Sequence, residues 1–219
     1  MIILFNGPPR AGKDEAADFF KAKGFKHLSF KYQLYRETCK YFNCDYKWFM
    51  NRYDDRSVKE VPHVDLGHMS CREAMIYVSE KVVKPKRGLD YFGRLVANEI
   101  KDGKDYCISD GGFIDELVPV INRVGSDNFV LCQLTREGCD YSTDSRRYFD
   151  GNLIHEYVNE FRTPVQQQYV LPQKFDVKTY RIHNNSSIGA FHSVLQEIYE
   201  KEGNVTTNKQ RELQKEDIL

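Results

Sequence analysis

Ile2-Ile3-Leu4-Phe5-Asn6-Gly7-Pro8-Pro9-Arg10-Ala11-Gly12-Lys13-Asp14 opens the chain with an apolar run, a Gly-Pro turn and a Gly-Lys step. The run Ile2 to Phe5 reads as a buried parallel strand, stopped by Gly7-Pro8-Pro9. Beyond Lys13, Ala16, Ala17, Phe19 and Phe20 recur at helical spacing, and Gly24 stands where a C-terminal cap is expected. Gly7 to Lys13 therefore satisfies G-x-x-x-x-G-K between a strand and a helix, the context a phosphate-binding loop requires. Glycines let several backbone N–H groups converge on phosphate oxygens, the helix N-terminus adds a favourable dipole, and Lys13 supplies a cation. The plainer reading is a Gly-Pro turn that only joins strand to helix. Gly7, Arg10, Ala11, Gly12, Lys13, Asp14 and Glu15 are the candidate ATP-binding set. Asp14 takes the place where Ser or Thr usually offers a hydroxyl to Mg²⁺; its carboxylate can hold the metal, or it only caps the helix.

Downstream, strand and helix alternate, as right-handed βαβ units require. His27 to Phe30 is a second strand and Lys31 to Asn43 a helix. Residues 45 to 68, with Tyr46, Trp48, Phe49 and Tyr53, suggest a short helix and an exposed loop. Ser70-Cys71-Arg72-Glu73 fits a capping box opening a helix to about Val82, and a further helix runs from about Leu89 to Lys101. Asp105 to Asp110 and Asn128 to Leu134 are strand candidates on either side of a helix from Phe113 to Val124. Residues 136 to 165 are polar, carry Arg136, Arg146, Arg147 and Arg162, and read as a mobile lid. Tyr180 to His183 is a last strand, Asn184-Asn185-Ser186-Ser187 a turn and helix cap, and Ile188 to Tyr199 the final helix. The polar stretch after Glu202 is expected to fray. The fold class is α/β, three-layered, with a parallel sheet of about five strands. We read a single domain over 1–202, with an acceptor-binding insertion at about 45–100, the lid at about 136–165, and a polar tail at 203–219.

Lys plus Arg and Asp plus Glu balance at 32 each, which disfavours a generic nucleic-acid binder or an anionic-membrane binder. Met1 to Phe5 is too short for a signal h-region or a membrane span, so a soluble, cytoplasmic protein is expected. Six cysteines at irregular spacing, without a C-x-x-C pair, suggest reduced and mostly buried thiols. His63 and His68 lie five apart in a loop and make no convincing metal site, and no Ser or Cys triad is apparent. The sequence leaves a homodimer open.

Gly7-Pro8-Pro9-Arg10-Ala11-Gly12-Lys13-Asp14 resembles the loop of the bacteriophage-type deoxynucleoside monophosphate kinases, and also that of animal phosphomevalonate kinases, both with Asp after Gly-Lys. Cys71-Arg72-Glu73-Ala74-Met75 is similar to the phage-type R-x-L-M/L-Q helix, and Leu89-Asp90-Tyr91-Phe92 to its acidic and aromatic step into a helix. Ile108-Ser109-Asp110 with Phe113 and Glu116 resembles the D-x-R-F-x-x-E segment, and Ile182 to Ser187 the turn beside the adenine. The likeness runs in order over nearly residues 1 to 200, with the loop its specific part. It implies a P-loop kinase fold, Mg²⁺-ATP as phosphoryl donor, a (deoxy)nucleoside monophosphate as acceptor, and the host cytoplasm if the source is viral. The implied acceptor contacts are Phe30, Tyr35, Arg36, Arg72, Phe92, Asp110 and Glu116, with Arg72 as the phosphate grip. Arg136 and Asn185 would contact ATP, Arg146 and Arg147 would act with Lys13 in transfer, and Asp14 and Asp110 would manage the metal.

Each role has a plainer counterpart: Arg72 a solvated surface residue, Arg146-Arg147 a charged turn, Asp110 a turn residue before Gly111-Gly112, and Tyr77, Phe92 and Phe113 ordinary core. Gly112 replaces the Arg of D-x-R-F, and Tyr35 a Lys of the family's F-A-D-P-L-K pattern, for which Arg36 or Lys31 could compensate. Both departures fall on the acceptor side. Three readings follow: a (d)NMP kinase, a kinase of another phosphorylated acceptor such as phosphomevalonate or dephospho-coenzyme A, and a non-catalytic nucleotide-binding module.

Overall fold

A computed structural model of the chain describes residues 1–55, 57–142, 146–149 and 175–216, with side chains through 203. Among these residues five strands occur: β1 (Ile2–Asn6), β2 (Lys26–Leu28), β3 (Tyr106–Ile108), β4 (Phe129–Thr135) and β5 (Lys178–His183). They form one parallel sheet in the order β2-β3-β1-β4-β5. The helices are α1 (Lys13–Ala22), α2 (Phe30–Phe42), α3 (Tyr46–Asp54), α4 (Cys71–Tyr77), α5 (Lys84–Arg87), α6 (Tyr91–Glu99), α7 (Ile114–Val124) and α8 (Ile188–Glu216).

β1 is central and buried on both faces, which is why it is apolar without alternation. Ile2 and Leu4 join a core with Val96 and Ala97 of α6 and Leu117, Val120 and Ile121 of α7. Ile3 and Phe5 point the other way, into Ala16, Ala17 and Phe20 of α1 and Phe191, Leu195 and Ile198 of α8. Burying each such side chain contributes about 1.5–3 kcal/mol, and the two cores make the expected three layers. A further cluster joins Tyr35 and Cys39 of α2, Phe49 of α3 and Cys71, Ala74 and Met75 of α4. All six thiols are unbridged, with Cys39, Cys71, Cys107 and Cys132 buried.

Three elements differ from expectation. β2 ends at Leu28, short of Phe30, because Ser29 is already the N-cap of α2, which begins at Phe30. The capping box forms, with Ser70 N donating to Glu73 Oε2 at 2.8 Å and Glu73 N to Ser70 Oγ at 3.3 Å. Its helix does not run uniformly to Val82, however: α4 passes into a π-helical turn over Val78–Val83 before α5. Pro85, inside α5, cannot donate back along the helix and its ring crowds the preceding turn, which the wider π turn accommodates. Finally, α8 continues through Glu216, beyond the apolar face that ends at Tyr199. Glu, Lys, Gln and Arg are good helix formers and no Pro interrupts them.

Candidate functional site

Gly7 follows β1 directly and passes so close to β4 that a Cβ there would lie 2.6 Å from the Leu134 carbonyl oxygen. Gly12, just before α1, has φ 104°, a conformation that disfavours any side chain. Between them the loop curls over the start of α1, whose first-turn amides have no intrahelical partner. The ammonium of Lys13 lies back across this loop, donating to the carbonyls of Gly7 and Pro8 at 2.6 Å each. The turn after β5 braces the loop from outside, since Asn184 Nδ2 donates to Ala11 O at 3.0 Å and Asn184 N to Thr135 O at 2.8 Å. Asn185 Oδ1 accepts from Glu137 N at 2.8 Å, and Arg136 reaches Arg10 O at 3.5 Å. Gly7, Arg10, Ala11, Gly12, Lys13, Arg136 and Asn185 thus gather at the carboxyl ends of β1 and β4. Asp14 is exposed in the first turn of α1, while Glu15 pairs with His192 of α8 at 2.7 Å.

Asp110 stands beyond the carboxyl end of β3, in the crevice where parallel sheets bind ligands. It is buried, and its oxygens accept from Ser29 Oγ at 2.6 Å, Phe30 N at 3.3 Å and Lys31 N at 2.8 Å. The carboxylate therefore caps α2 through space, rather than being only the turn residue before Gly111-Gly112. A carboxylate has about four acceptor directions, so one is left for a metal-bound water or an acceptor hydroxyl.

Two residues further on, from Gly112, opens a cavity of about 340 Å³, whose wall includes Glu80, Lys84, Gly112, Phe113, Asp115 and Arg147. Lys84 is only 8% exposed; its ammonium meets Glu80 Oε1 at 2.7 Å and lies 4.5 Å above the Phe113 ring. Next to it, burial pushes the Glu116 carboxyl up to about 8, with the Lys84 ammonium opposing the shift and the Asp110, Glu80 and Asp115 carboxylates adding to it. Glu116 is therefore a neutral acid at pH 7, able to donate a hydrogen bond.

None of the expected acceptor contacts, Asp110 and Glu116 included, lines this cavity. Phe30, Tyr35 and Phe92 are core residues, the Tyr35 ring packing at a tilt against Phe49 and Tyr53. Arg36 pairs with Glu99 at 3.4 Å, and Arg72 is exposed on α4. Helix periodicity puts Arg72 on the solvent side because Cys71, Ala74 and Met75 are the positions facing α2 and α3. Lys84 and Glu80 escaped the sequence reading: in Lys84-Pro85-Lys86-Arg87 nothing marks the first lysine as the buried one.

Of the lid expected over 136–165, residues 143–145 and 150–165 lie outside the described residues. Arg146 to Phe149 are tied to the sheet. Asn6 Nδ2 donates to Arg147 O at 2.9 Å, Phe149 N donates to Asn6 Oδ1 at 2.9 Å, and Tyr148 OH to Leu134 O at 2.9 Å. The stem of Arg146 lies over Gly112, where an added Cβ would come within 2.2 Å of its Cδ. Gly112 thus makes room for an arginine stem.

No protein-family model matches the sequence, and no curated protein does. Among solved structures, the chain is similar to a candidate kinase from Chloroflexus aurantiacus, at 9% identity over 92% of this chain and 96% of that one, TM-score 0.41. It is likewise similar to a gluconokinase from Sinorhizobium meliloti, at 8% identity over 94% of this chain and 96% of that one, TM-score 0.43.

Proposed function

We propose that this chain is an ATP-dependent kinase of a small phosphorylated metabolite, with a (deoxy)nucleoside monophosphate as the first-choice acceptor. The observation that carries the reading is the loop between β1 and α1, closed by Gly7 and Gly12 and spanned by the Lys13 ammonium at 2.6 Å from two of its carbonyls. Lys13 donates to two neutral carbonyl oxygens here; the β- and γ-phosphates of ATP offer it stronger, charged acceptors in the same cradle. The acceptor's phosphate oxygen then attacks the γ-phosphorus in line. A new P–O bond forms as the bond to the β–γ bridging oxygen breaks, and ADP leaves with the electron pair. Lys13 stabilises the charge that develops on the γ-oxygens, and Arg147 and Arg146, beside Gly112, supply further positive charge.

Mg²⁺ would neutralise the β- and γ-phosphate charge. The donors present fit it: hard carboxylate oxygens at Asp14, exposed at the loop, and at Asp110, which keeps an acceptor direction open. Among the described residues no group of three or more metal-ligating side chains occurs, so water and phosphate oxygens would have to complete the shell.

The cavity that opens from Gly112 is our acceptor pocket, with Lys84 and Arg147 taking the role expected of Arg72. This same substitution favours a second reading, a phosphorylated acceptor other than a nucleoside monophosphate, such as phosphomevalonate or dephospho-coenzyme A. ADP release from Mg-ATP over a panel of dNMPs, NMPs, phosphomevalonate and dephospho-coenzyme A, with Lys13→Ala as blank, separates the two. Turnover with a nucleoside monophosphate supports the first reading and turnover with either other compound the second; ATP binding without turnover on any of them contradicts both.

A further inference from the structure

Asn6 is fully buried at the end of a strand whose other four residues are apolar, and it directly precedes the phosphate loop. A buried primary amide is costly unless its donors and acceptor are satisfied, and here all are used on one short segment and its neighbour. Its Nδ2 donates to Arg147 O at 2.9 Å and Tyr141 OH at 3.2 Å, and its Oδ1 accepts from Phe149 N at 2.9 Å. The side chain thereby acts as one more peptide group, pairing with residues two apart as a neighbouring strand would. Gln133 of β4 repeats the device, donating to Phe149 O while accepting from Arg181 Nε at 3.3 Å. The Phe149 side chain, 1% exposed, is sunk in the core shared by α6 and α7.

We infer that Asn6 is a positioning residue: it latches the Arg147 backbone to the carboxyl end of β1, so that Arg147 and the loop bearing Lys13 keep a fixed separation. The inference rests on the kinase reading, in which Arg147 acts on the transferring phosphoryl group. Its logic is preorganisation. A cation held in place before transfer stabilises developing charge without reorganisation, and a displacement of about 1 Å lowers rate by about 100-fold.

Two measurements test it on the full chain. In a double-mutant cycle, Asn6→Leu and Arg147→Ala should each lower kcat by about 10- to 100-fold with KM for ATP nearly unchanged, and the double variant should be no worse than Arg147→Ala alone. A merely structural asparagine would instead multiply with Arg147→Ala, which would overturn the inference. Where Asn6→Leu does not fold, Asn6→Ser replaces it. Independently of any turnover, exchange of the Phe149 amide should quicken at least about tenfold in the Asn6 variant while β4 amides keep their protection. Unchanged Phe149 protection would overturn the latch even if the chain proves a kinase. Faster exchange in a chain that turns over no acceptor would leave the latch standing and sink the kinase reading instead.

Discussion

Lys13 donates to Gly7 O and Pro8 O, so its removal takes two hydrogen bonds from the loop but leaves both cores intact. Lys13→Ala should therefore lower kcat/KM by about 10³-fold or more, with a stability loss of only about 1–2 kcal/mol by denaturant titration. Lys84 is the residue on which the acceptor assignment turns. Replacing it with Met keeps an unbranched stem and deletes the charge above Phe113; acceptor KM should rise about tenfold or more while KM for ATP stays put. Glu116 makes a prediction about pH. Its carboxyl moves from an ordinary 4.5 to about 8, so between those values the unfolded chain has released a proton that the folded chain retains. Stability then falls as pH rises across that window. Glu116→Gln should flatten this slope, and its melting temperature relative to the parent should climb from pH 5 to pH 8; parallel curves would show that Glu116 titrates normally.

At the scale of elements, the strands and helix starts were legible wherever local chemistry alone sets them. The apolar run of β1, the capping box at Ser70 and Glu73, and Gly24 with φ +95° after α1 all follow from sequence within a few residues. What escaped was fixed by distant partners. Asp110 caps α2 across some eighty residues, so β2 stops early and Phe30 turns to the core. The switch from α4 to a π turn depends on how Pro85 is accommodated in a packed helix, which no periodicity displays. Gly93 is the sharpest packing point: a Cβ there would come within 2.2 Å of Glu116 O, in backbone that cannot turn aside. Gly93→Ala should push α6 from α7 and destabilise by about 1–3 kcal/mol, despite Ala being the better helix former. Urea denaturation reads this directly, and an unchanged midpoint would mean the two helices slide freely.

Across the whole molecule, β1 lies between β3 and β4, and the chain leaves it for β2 on one side and later builds β5 on the other. The crevice at its carboxyl end is the place where an open parallel sheet binds ligand, and the loop, Asp110, the cavity and the Arg146–Phe149 segment all meet there. The parallel sheet was readable from strand–helix alternation, but the strand order was not, because both neighbours of β1 lie about a hundred residues away in sequence. For the same reason the loop half of the site could be read at sight and the acceptor half could not: Gly7 to Asp14 are contiguous, whereas Asn6, Lys84, Asp110 and Arg147 converge only in the fold. Formal charges balance at 32 of each sign, and among the described residues no helix is long and apolar enough to cross a membrane.

The most direct test follows the γ-phosphate itself, using ATP labelled at that position with each candidate phosphorylated acceptor and separating the products. Label should appear covalently attached to one acceptor, as a new diphosphate for a monophosphate acceptor or a new phosphate ester for dephospho-coenzyme A, dependent on Lys13. Label released only as inorganic phosphate, or transfer that survives Lys13→Ala undiminished, would contradict it.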